Sequence, residues 1–403
     1  MPIKKTISQS ILKKNNIALV LEEIKREKSL FKTTLSKRLQ LSFATVSTIC
    51  EILEADGFIK MEEYGASTGG RKPVIIKFNP NSRYVITINM SLNGALHLAL
   101  VSLNHTVSHQ VWLKDAYSAS KEDLFSRIGE EIAKILSKQK VPLKRVLGIG
   151  VAVPGLYDET IGVIKHCTNP FLANLLIKRE LQKIINLPIH IMNDANLAAF
   201  GQWSLLREEL SDLIFLYFSQ GIGLGIIQNG AIFLGSRGYA GELGGIRLSV
   251  FGDVCNLEEF LNLNGIACSY KNFLKSQELL TPQQIERLPQ DEREALINLL
   301  EANLAQKRAT EEHFIEKMGE QLGWVISILI DILNPSAVFI GGDLENLAPY
   351  LLPHVQSYVE RYSFTVRDFP IPIKVASTVD LMVVGQEEFV FKSWLTSTYS
   401  LLT

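Results

Sequence analysis

A chain of 403 residues, 47% apolar and 21% charged, has material for two or three domains with a sizeable core. Its four cysteines (Cys50, Cys167, Cys255, Cys268) are scattered without a CxxC pair, which excludes a disulfide framework and points to a reducing cytoplasm. No apolar signal-peptide core opens the chain, and the most apolar run, Val85 to Leu103, is broken by Asn89, Asn93, Gly94 and His97, which excludes a membrane span.

The net charge of −1 hides an asymmetry: up to Pro80 there are 14 Lys/Arg against 8 Asp/Glu, and beyond it 27 against 34. A basic front on an acidic body fits a nucleic-acid partner for the front alone, although a merely solvated basic surface has the same count.

Ile17, Val20, Leu21 and Ile24 recur at helical spacing. A second helix is expected from Thr33 to Leu39, then a turn, Gln40-Leu41-Ser42, with Ser42 as N-cap of a third helix, Phe43 to Ala55. The third helix buries Val46, Ile49 and Leu53 and turns Thr45, Ser47 and Thr48 outward, as a recognition helix offers small polar groups to base edges and phosphates. Phe58 to Met61 and Val74 to Lys77 read as strands around a basic tip, Gly65 to Lys72, whose Arg71 and Lys72 either reach phosphates or a minor groove or form a solvated linker. The whole is a winged helix-turn-helix over residues 1–80. A small helical interaction domain is the plainer alternative; the wing and the basic balance favour DNA.

In the body, Asn93-Gly94 and Asn229-Gly230 are hairpin signals, each opening one half of a duplicated fold. Val146 to Val153 and Leu187 to Met192 read as buried strands, the second delivering Asn193 and Asp194 at its carboxyl end, where α/β folds collect ligands. Asp194 also suits an N-cap for a helix starting near Asn196. Ser219 to Gly225 reads as a glycine-rich turn whose N–H groups suit a phosphate, or simply as a β-turn. Glu242 lies in a polar loop, Ala240 to Gly245, and Glu258 opens a helix after Asn256. Gly341-Gly342-Asp343 follows a strand and either approaches a nucleotide or turns the chain. Gln277 to Lys317 reads as charged surface helices.

Gly69 to Pro73, Gly148 to Gly155, Asn193 to Asn196 and Ala240 to Gly244, in that order, resemble the motifs of the ROK family, which joins repressors, open reading frames and sugar kinases. The likeness covers nearly the whole chain and is to the repressor branch, similar to xylose- and N-acetylglucosamine-type repressors. It implies an α/β fold in which the winged helix-turn-helix precedes a two-lobed actin-like body (81–403; lobe 1 about 81–195 with the C-terminal helix, lobe 2 about 196–385), a sugar cleft between the lobes, and a homodimer or homotetramer. It also implies that Asn169, Asn193, Asp194, Glu242 and Glu258 face sugar hydroxyls, with Asp194 the general base if the body is a kinase.

The departures bear on chemistry. Family kinases begin with an Asp and a Gly-Gly-Thr turn that position Mg²⁺ and ATP; here the stretch is Ile88 to Gly94, with Asn89 at the Asp position. Ser219-Gln220 stands for the Gly-Thr of the second phosphate turn. The family's zinc His is Gly245, and Cys255 is the single thiol of its zinc loop, Phe251 to Glu258. The expectation is a sugar-responsive repressor acting on an inverted-repeat operator in double-stranded DNA, without catalysis, zinc or other cofactor. The alternatives are an ATP-dependent sugar kinase using Mg-ATP with a fused DNA-binding arm, and a constitutive DNA-binding protein whose body serves assembly.

Overall fold

A computed structural model describes the chain apart from residues 1–8, 64–73, 93, 119, 166, 168, 220, 251–252, 277–291, 345 and 399–403. Arg71, Lys72 and the wing tip Gly65–Lys72 therefore lie outside the described residues, as do Asn93, Gln220 and the side chain of Cys255. The chain divides into two compact units: Met1–Val153 with Leu175–Met192 and Gln386–Thr403, and Pro154–Asn174 with Asn193–Gly385.

The first unit opens with α1 (Gln9–Glu27), β1 (Ser29–Phe31), α2 (Lys32–Leu39), α3 (Phe43–Ala55), β2 (Ile59–Glu63) and β3 (Val74–Phe78). This is the expected winged helix-turn-helix with one strand more. β1 pairs antiparallel with β3, giving the order β1-β3-β2. Three residues are too few for an alternation signal. Apolar residues of α1, α2 and α3 (Val20, Leu21, Leu35, Val46, Ile49, Leu53) form one core that continues into Val85, Leu103, Leu147, Val390, Phe391 and Leu395. The front is thus not a bead on a string: its hydrophobic interior is completed by the sheet that follows it and by the chain's last helix.

That sheet has the order β10-β7-β4-β5-β6, from β4 (Tyr84–Asn89), β5 (Ala95–Ser102), β6 (Val107–Lys114), β7 (Val146–Val153) and β10 (Ile189–Asn193), with α4 (Lys121–Lys138) and α5 (Ile177–Ile184) beside it. β4, β5 and β6 form an antiparallel meander, and β7 joins β4 in parallel. All eight residues of β7 are buried, as its unbroken apolar run requires.

The second unit carries β8 (Leu156–Asp158), β9 (Val163–Lys165), α6 (Asp194–Leu206), β11 (Leu213–Phe218), β12 (Ile222–Gln228), β13 (Ala231–Ile232), β14 (Arg247–Val250), β15 (Asp253–Asn256), α7 (Leu257–Leu261), α8 (Leu263–Ser276), α9 (Glu292–Ala305), α10 (Ala309–Leu333), β16 (Val338–Gly342), α11 (Ala348–Tyr362) and β17 (Ile373–Val375). Its main sheet, β13-β12-β11-β16-β17, repeats the first plan: an antiparallel meander whose first strand takes a parallel neighbour. Asn229 and Gly230 join β12 to β13 with φ of 51° and 72°, the two positive values a type I′ hairpin needs.

Three sequence expectations change. Gly223 and Gly225 are not in a turn but in β12, paired with Tyr217 and Phe215. The helix expected near Asn196 starts at Asp194, and its N-cap is Asn193, not Asp194. The stretch read as charged surface helices includes α9, whose Leu296, Leu300 and Leu304 belong to the core. There Tyr270 Oη (2.7 Å) and Asn303 Nδ2 (2.8 Å) both donate to the buried Glu311 carboxylate. A buried carboxylate so bonded pins three helices, and charge counting along the sequence cannot reveal it. Finally α12 (Leu381–Thr398) begins among residues of the second unit and ends among those of the first.

Candidate functional site

Two sites can be built from residues upward. The first is the outer face of α3. Gln40 takes a left-handed conformation (φ 53°) and ends α2, while Ser36 Oγ donates to the carbonyl of Leu41 at 2.6 Å, fixing the turn. Ser42 caps α3: its Oγ accepts from the N–H of Thr45 at 3.0 Å and lies 2.8 Å from the Thr45 hydroxyl. With Val46, Ile49, Cys50 and Leu53 inward, Ser42 and Thr48 are exposed and Thr45 and Ser47 half-buried. The structure thus brings these four predicted residues onto one outward face.

It adds Phe43, 54% exposed in the first turn of α3, which composition alone would have sent inward. An exposed ring beside small hydroxyls suits the methyl group of thymine. The basic count of the front is partly consumed internally. Arg26 and Arg38 both pair with Glu23 and Glu27, Lys77 pairs with Glu62, and Lys25 is buried. Lys37 and Lys60 remain exposed.

The second site lies within the second unit, around the first residues of α6 and β12. Asn193 Oδ1 accepts from the N–H of Asn196 (3.2 Å) and its Nδ2 donates to the carbonyl of Gly155 (3.0 Å). Asp194 is buried as the first residue of α6, and its Oδ1 accepts from the N–H of Ala195 at 2.8 Å, so the helix terminus supports its charge. Asn169 Oδ1 accepts from the N–H of Phe171 at 3.0 Å, which shapes its loop. Cys167 is close to both. Burial pushes this thiol's pKa up, the N–H of Asn169 pulls it back, and the charge of Asp194 adds to the rise. Cys167 thus registers Asn169 and Asp194 together.

Glu242 is exposed in the loop that Leu224 N–H ties down through the carbonyl of Gly241 (3.2 Å). Glu258 sits in α7, whose cap Asn256 forms a reciprocal box with Glu259. The Glu258 carboxylate faces two glycines closely: a Cβ on Gly221 would lie 2.9 Å from it, and one on Gly244 2.5 Å. Burial raises its pKa, the N–H of Ile222 that it accepts lowers it, and neighbouring Glu242 raises it further. The structure therefore brings Cys167 near Asn169 and Asp194, sets Asn193 and Asp194 together at the start of α6, and places Glu242 with Glu258 around the start of β12. The two groups meet where Gly223 lies against Ala195.

Two further residues escaped the sequence reading. Tyr217 on β11 is a half-buried phenol whose pKa is driven up first by burial and then by the charges of Asp194, Asp343 and Asp380. Asn196 is buried with an Oδ1 that lacks a hydrogen-bond partner. The signal for Tyr217 is three-dimensional alone; Asn196 closes the Asn193 to Asn196 motif, but its unpartnered oxygen does not show in sequence.

The groups that would hold Mg-ATP fit poorly. Asn89 spends its Oδ1 on the N–H of Ser91 (2.9 Å) and brings no charge for a cation. Of the glycines in the second phosphate turn, Gly221 faces the Glu258 carboxylate, which would repel a phosphate. Gly223 and Gly225 are consumed by helix packing: a Cβ on either would fall 2.4 or 2.3 Å from Ala195 Cβ or Ala199 Cβ. Gly341 and Gly342 complete β16, and the N–H of Asp343 donates to Phe218 (2.7 Å), so these residues serve the sheet. At the zinc position Gly245 is exposed with open space where a side chain would start. Among the described residues no helix is long and apolar enough to cross a membrane.

Comparison with known proteins agrees with this architecture. The chain is 27% identical over 391 residues to a protein of Caldicellulosiruptor bescii named xylose repressor, covering 94% of this chain and 95% of that one. It is 26% identical over 374 residues to the DNA-binding transcriptional dual regulator NagC of Escherichia coli K12 (92% and 90% covered). Among solved structures, a ROK family transcriptional regulator, homolog of the E. coli MLC protein, matches with a TM-score of 0.77 at 21% identity over 95% of this chain and 96% of that one. A ROK family glucokinase from Streptomyces griseus in complex with glucose and AMPPNP matches with a TM-score of 0.60 at 17% identity over 76% of this chain and 98% of that one. The sequence model of the ROK family spans residues 94–382. With a winged helix-turn-helix leading into two sheets of one repeated plan, this chain belongs to the ROK family.

Proposed function

We propose that the protein is a sugar-responsive, DNA-binding transcriptional regulator, a repressor of carbohydrate-utilisation genes, whose kinase-like body binds a sugar without phosphorylating it. The observation that carries this is the conjunction in one chain of an outward polar face on α3 with a constellation of carboxylates and amides whose phosphate turn is closed by Glu258. In this reading Asn169, Asn193, Asp194, Glu242 and Glu258 take sugar hydroxyls through paired hydrogen bonds. A mismatched hydroxyl would leave one of them unsatisfied, which is the source of selectivity. Ser42, Thr45, Ser47 and Thr48 read or position DNA, assisted by Arg71 and Lys72 of the wing. A homodimer places two recognition helices about one DNA turn apart on an inverted repeat. Sugar shifts the protein between states that differ in operator affinity, by no more than its own differential affinity for them.

A thermal-shift panel of common sugars, each with and without Mg-ATP, tests the body. Stabilisation by one sugar and none by Mg-ATP is expected, because a ligand of the folded state alone must raise apparent stability. A gel shift without any sequence-specific complex, at any sugar concentration, would sink the reading. Asp194, buried at a helix N-terminus, favours one rival: a sugar kinase with a DNA-binding arm. ADP release that disappears in Asp194→Asn would establish it.

A further inference from the structure

Four consecutive residues of α12 are placed as no surface helix would need. Gly385 is tight against α6: a Cβ there would lie 2.0 Å from the carbonyl oxygen of Leu197, and one on Gly201 would lie 2.2 Å from that of Leu381. The α12 start and α6, the helix that Asp194 opens, are therefore packed backbone to backbone within the second unit. Past Gly385 the helix enters the first unit. There Gln386 Nε2 donates to the carbonyls of Ile88 (2.8 Å) and Gly150 (2.9 Å), clasping β4 and β7. Glu387 and Glu388, 0% and 1% exposed, then meet Lys25 of α1. Lys25 Nζ is 2.6 Å from Glu388 Oε1 and 3.3 Å from Glu387, and it also lies 4.5 Å from the centre of the Phe391 ring. His105, in the β5–β6 turn, brings Nδ1 to 2.7 Å from Glu387 Oε2 and Nε2 to 3.7 Å from Glu388 Oε1.

Stability does not explain this cluster, since well-packed apolar side chains of the same volume hold a core as firmly as a buried ion pair or more so. What the pair supplies is direction. An apolar contact tolerates sliding, whereas Lys25 follows the two carboxylates or leaves a charge buried and unpaired. We propose that α6, α12 and the Lys25–Glu387–Glu388 cluster form a relay that carries occupation of the Asp194 site to α1, and so to the recognition helix packed on it, with these three charged residues as its positioning residues. The proposal rests on the sugar-sensing reading and adds its route: from Asp194 through the α6–α12 contact, along the continuous backbone of α12, to the ion pairs at α1. The allosteric effect is then the ratio of operator Kd with and without sugar.

The test is the full-length triple variant Lys25→Met/Glu387→Gln/Glu388→Gln, which removes every charge of the pair together and keeps side-chain size. The panel sugar that stabilises the wild-type protein is the probe. Sugar Kd without DNA should stay within about twofold, while the sugar-dependent change in operator Kd collapses from a coupling of ordinary size, about 5- to 150-fold, to below about twofold. Glu22→Gln/Lys392→Gln, which breaks an exposed contact (4.0 Å) between the same two helices, should leave that ratio intact. Lys25→Arg, which keeps the charge, should retain the response. A triple variant with the wild-type ratio overturns the relay alone. No sugar stabilising the wild-type protein overturns the sensing reading, and the relay falls with it. If the triple variant fails to fold, hydrogen exchange on the wild-type protein decides: added sugar must alter protection in α1 and in the second half of α12, and unchanged protection in both overturns the relay.

Discussion

Asp194 sits where a carboxylate has most to gain from a partner, buried at a helix start with one oxygen already on the N–H of Ala195. Replacing it by Asn keeps the shape and removes the charge. We expect Asp194→Asn to fold normally and to weaken sugar binding by about 10- to 100-fold, the equivalent of a charged hydrogen bond, as read by calorimetry; an unchanged Kd would remove Asp194 from the site. Glu258 yields a pH prediction. Burial, followed by Glu242, raises its folded pKa above the ordinary glutamate value despite the Ile222 N–H. The folded state then holds its proton at a pH where the unfolded chain has lost it, so stability falls as pH rises from the ordinary value through the folded one. Urea melts from pH 4.5 upward should show a shallower decline in stability for Glu258→Gln than for wild type. Asp194 was legible in sequence because it ends an apolar strand. Tyr217 was not, because its tie to Asp194, Asp343 and Asp380 runs across elements far apart in the chain.

At the scale of elements, α3 separates folding from reading. Ser42→Ala removes the cap and should cost about 1 kcal/mol of stability. Phe43→Ala should change stability by less than about 0.5 kcal/mol yet lower operator affinity. Chemical melts and gel shifts on the two variants distinguish these roles, and equal operator affinity for Phe43→Ala and wild type would dismiss the ring. The α6–β12 contact is a tight seam of the second site. Gly225→Ala forces a methyl to 2.3 Å from Ala199 Cβ, an overpacking of about 1–3 kcal/mol, which Ala199→Gly in the same chain should partly relieve. Elements with a strong local signature were readable: α3 from its cap and apolar spacing, β7 from its unbroken run, the β12–β13 hairpin from Asn-Gly. β1 was not, because three residues become a strand only through β3, which lies more than forty residues downstream. Nor was the core role of α9, where burial of Leu296, Leu300 and Leu304 outweighs a charged local composition.

At the scale of the molecule, the front and the end of the chain are one folding problem. Val390, Phe391 and Leu395 complete the core that Leu21, Ile49 and Phe58 begin, and the Phe58 and Trp394 rings lie 5.4 Å apart. Deleting residues 386–403 withdraws those three side chains, about 1.5–3 kcal/mol each, a loss of the same order as a whole domain's stability. Such a truncation should lose the cooperative melt of the front, followed by the fluorescence of Trp394-independent probes or by hydrogen exchange in α1 to α3; a front that keeps full protection would show it to be self-sufficient. The family, the winged module and the repeated body were legible from motifs in order. The pairing of Lys25 with Glu388, 363 positions apart, was not, since nothing local to either residue marks it.

Gly223 and Gly225 carry a consequence for how such chains are recognised. Each is held in place by an alanine of α6 pressed against its backbone, so any side chain at either position is selected against whether or not a nucleotide ever binds. A glycine pattern can thus be required by packing alone. Its presence is therefore not by itself evidence of nucleotide use. The residues that bear on nucleotide use are Asn89 and Ser219, which stand where the family's kinases carry an Asp and a Gly.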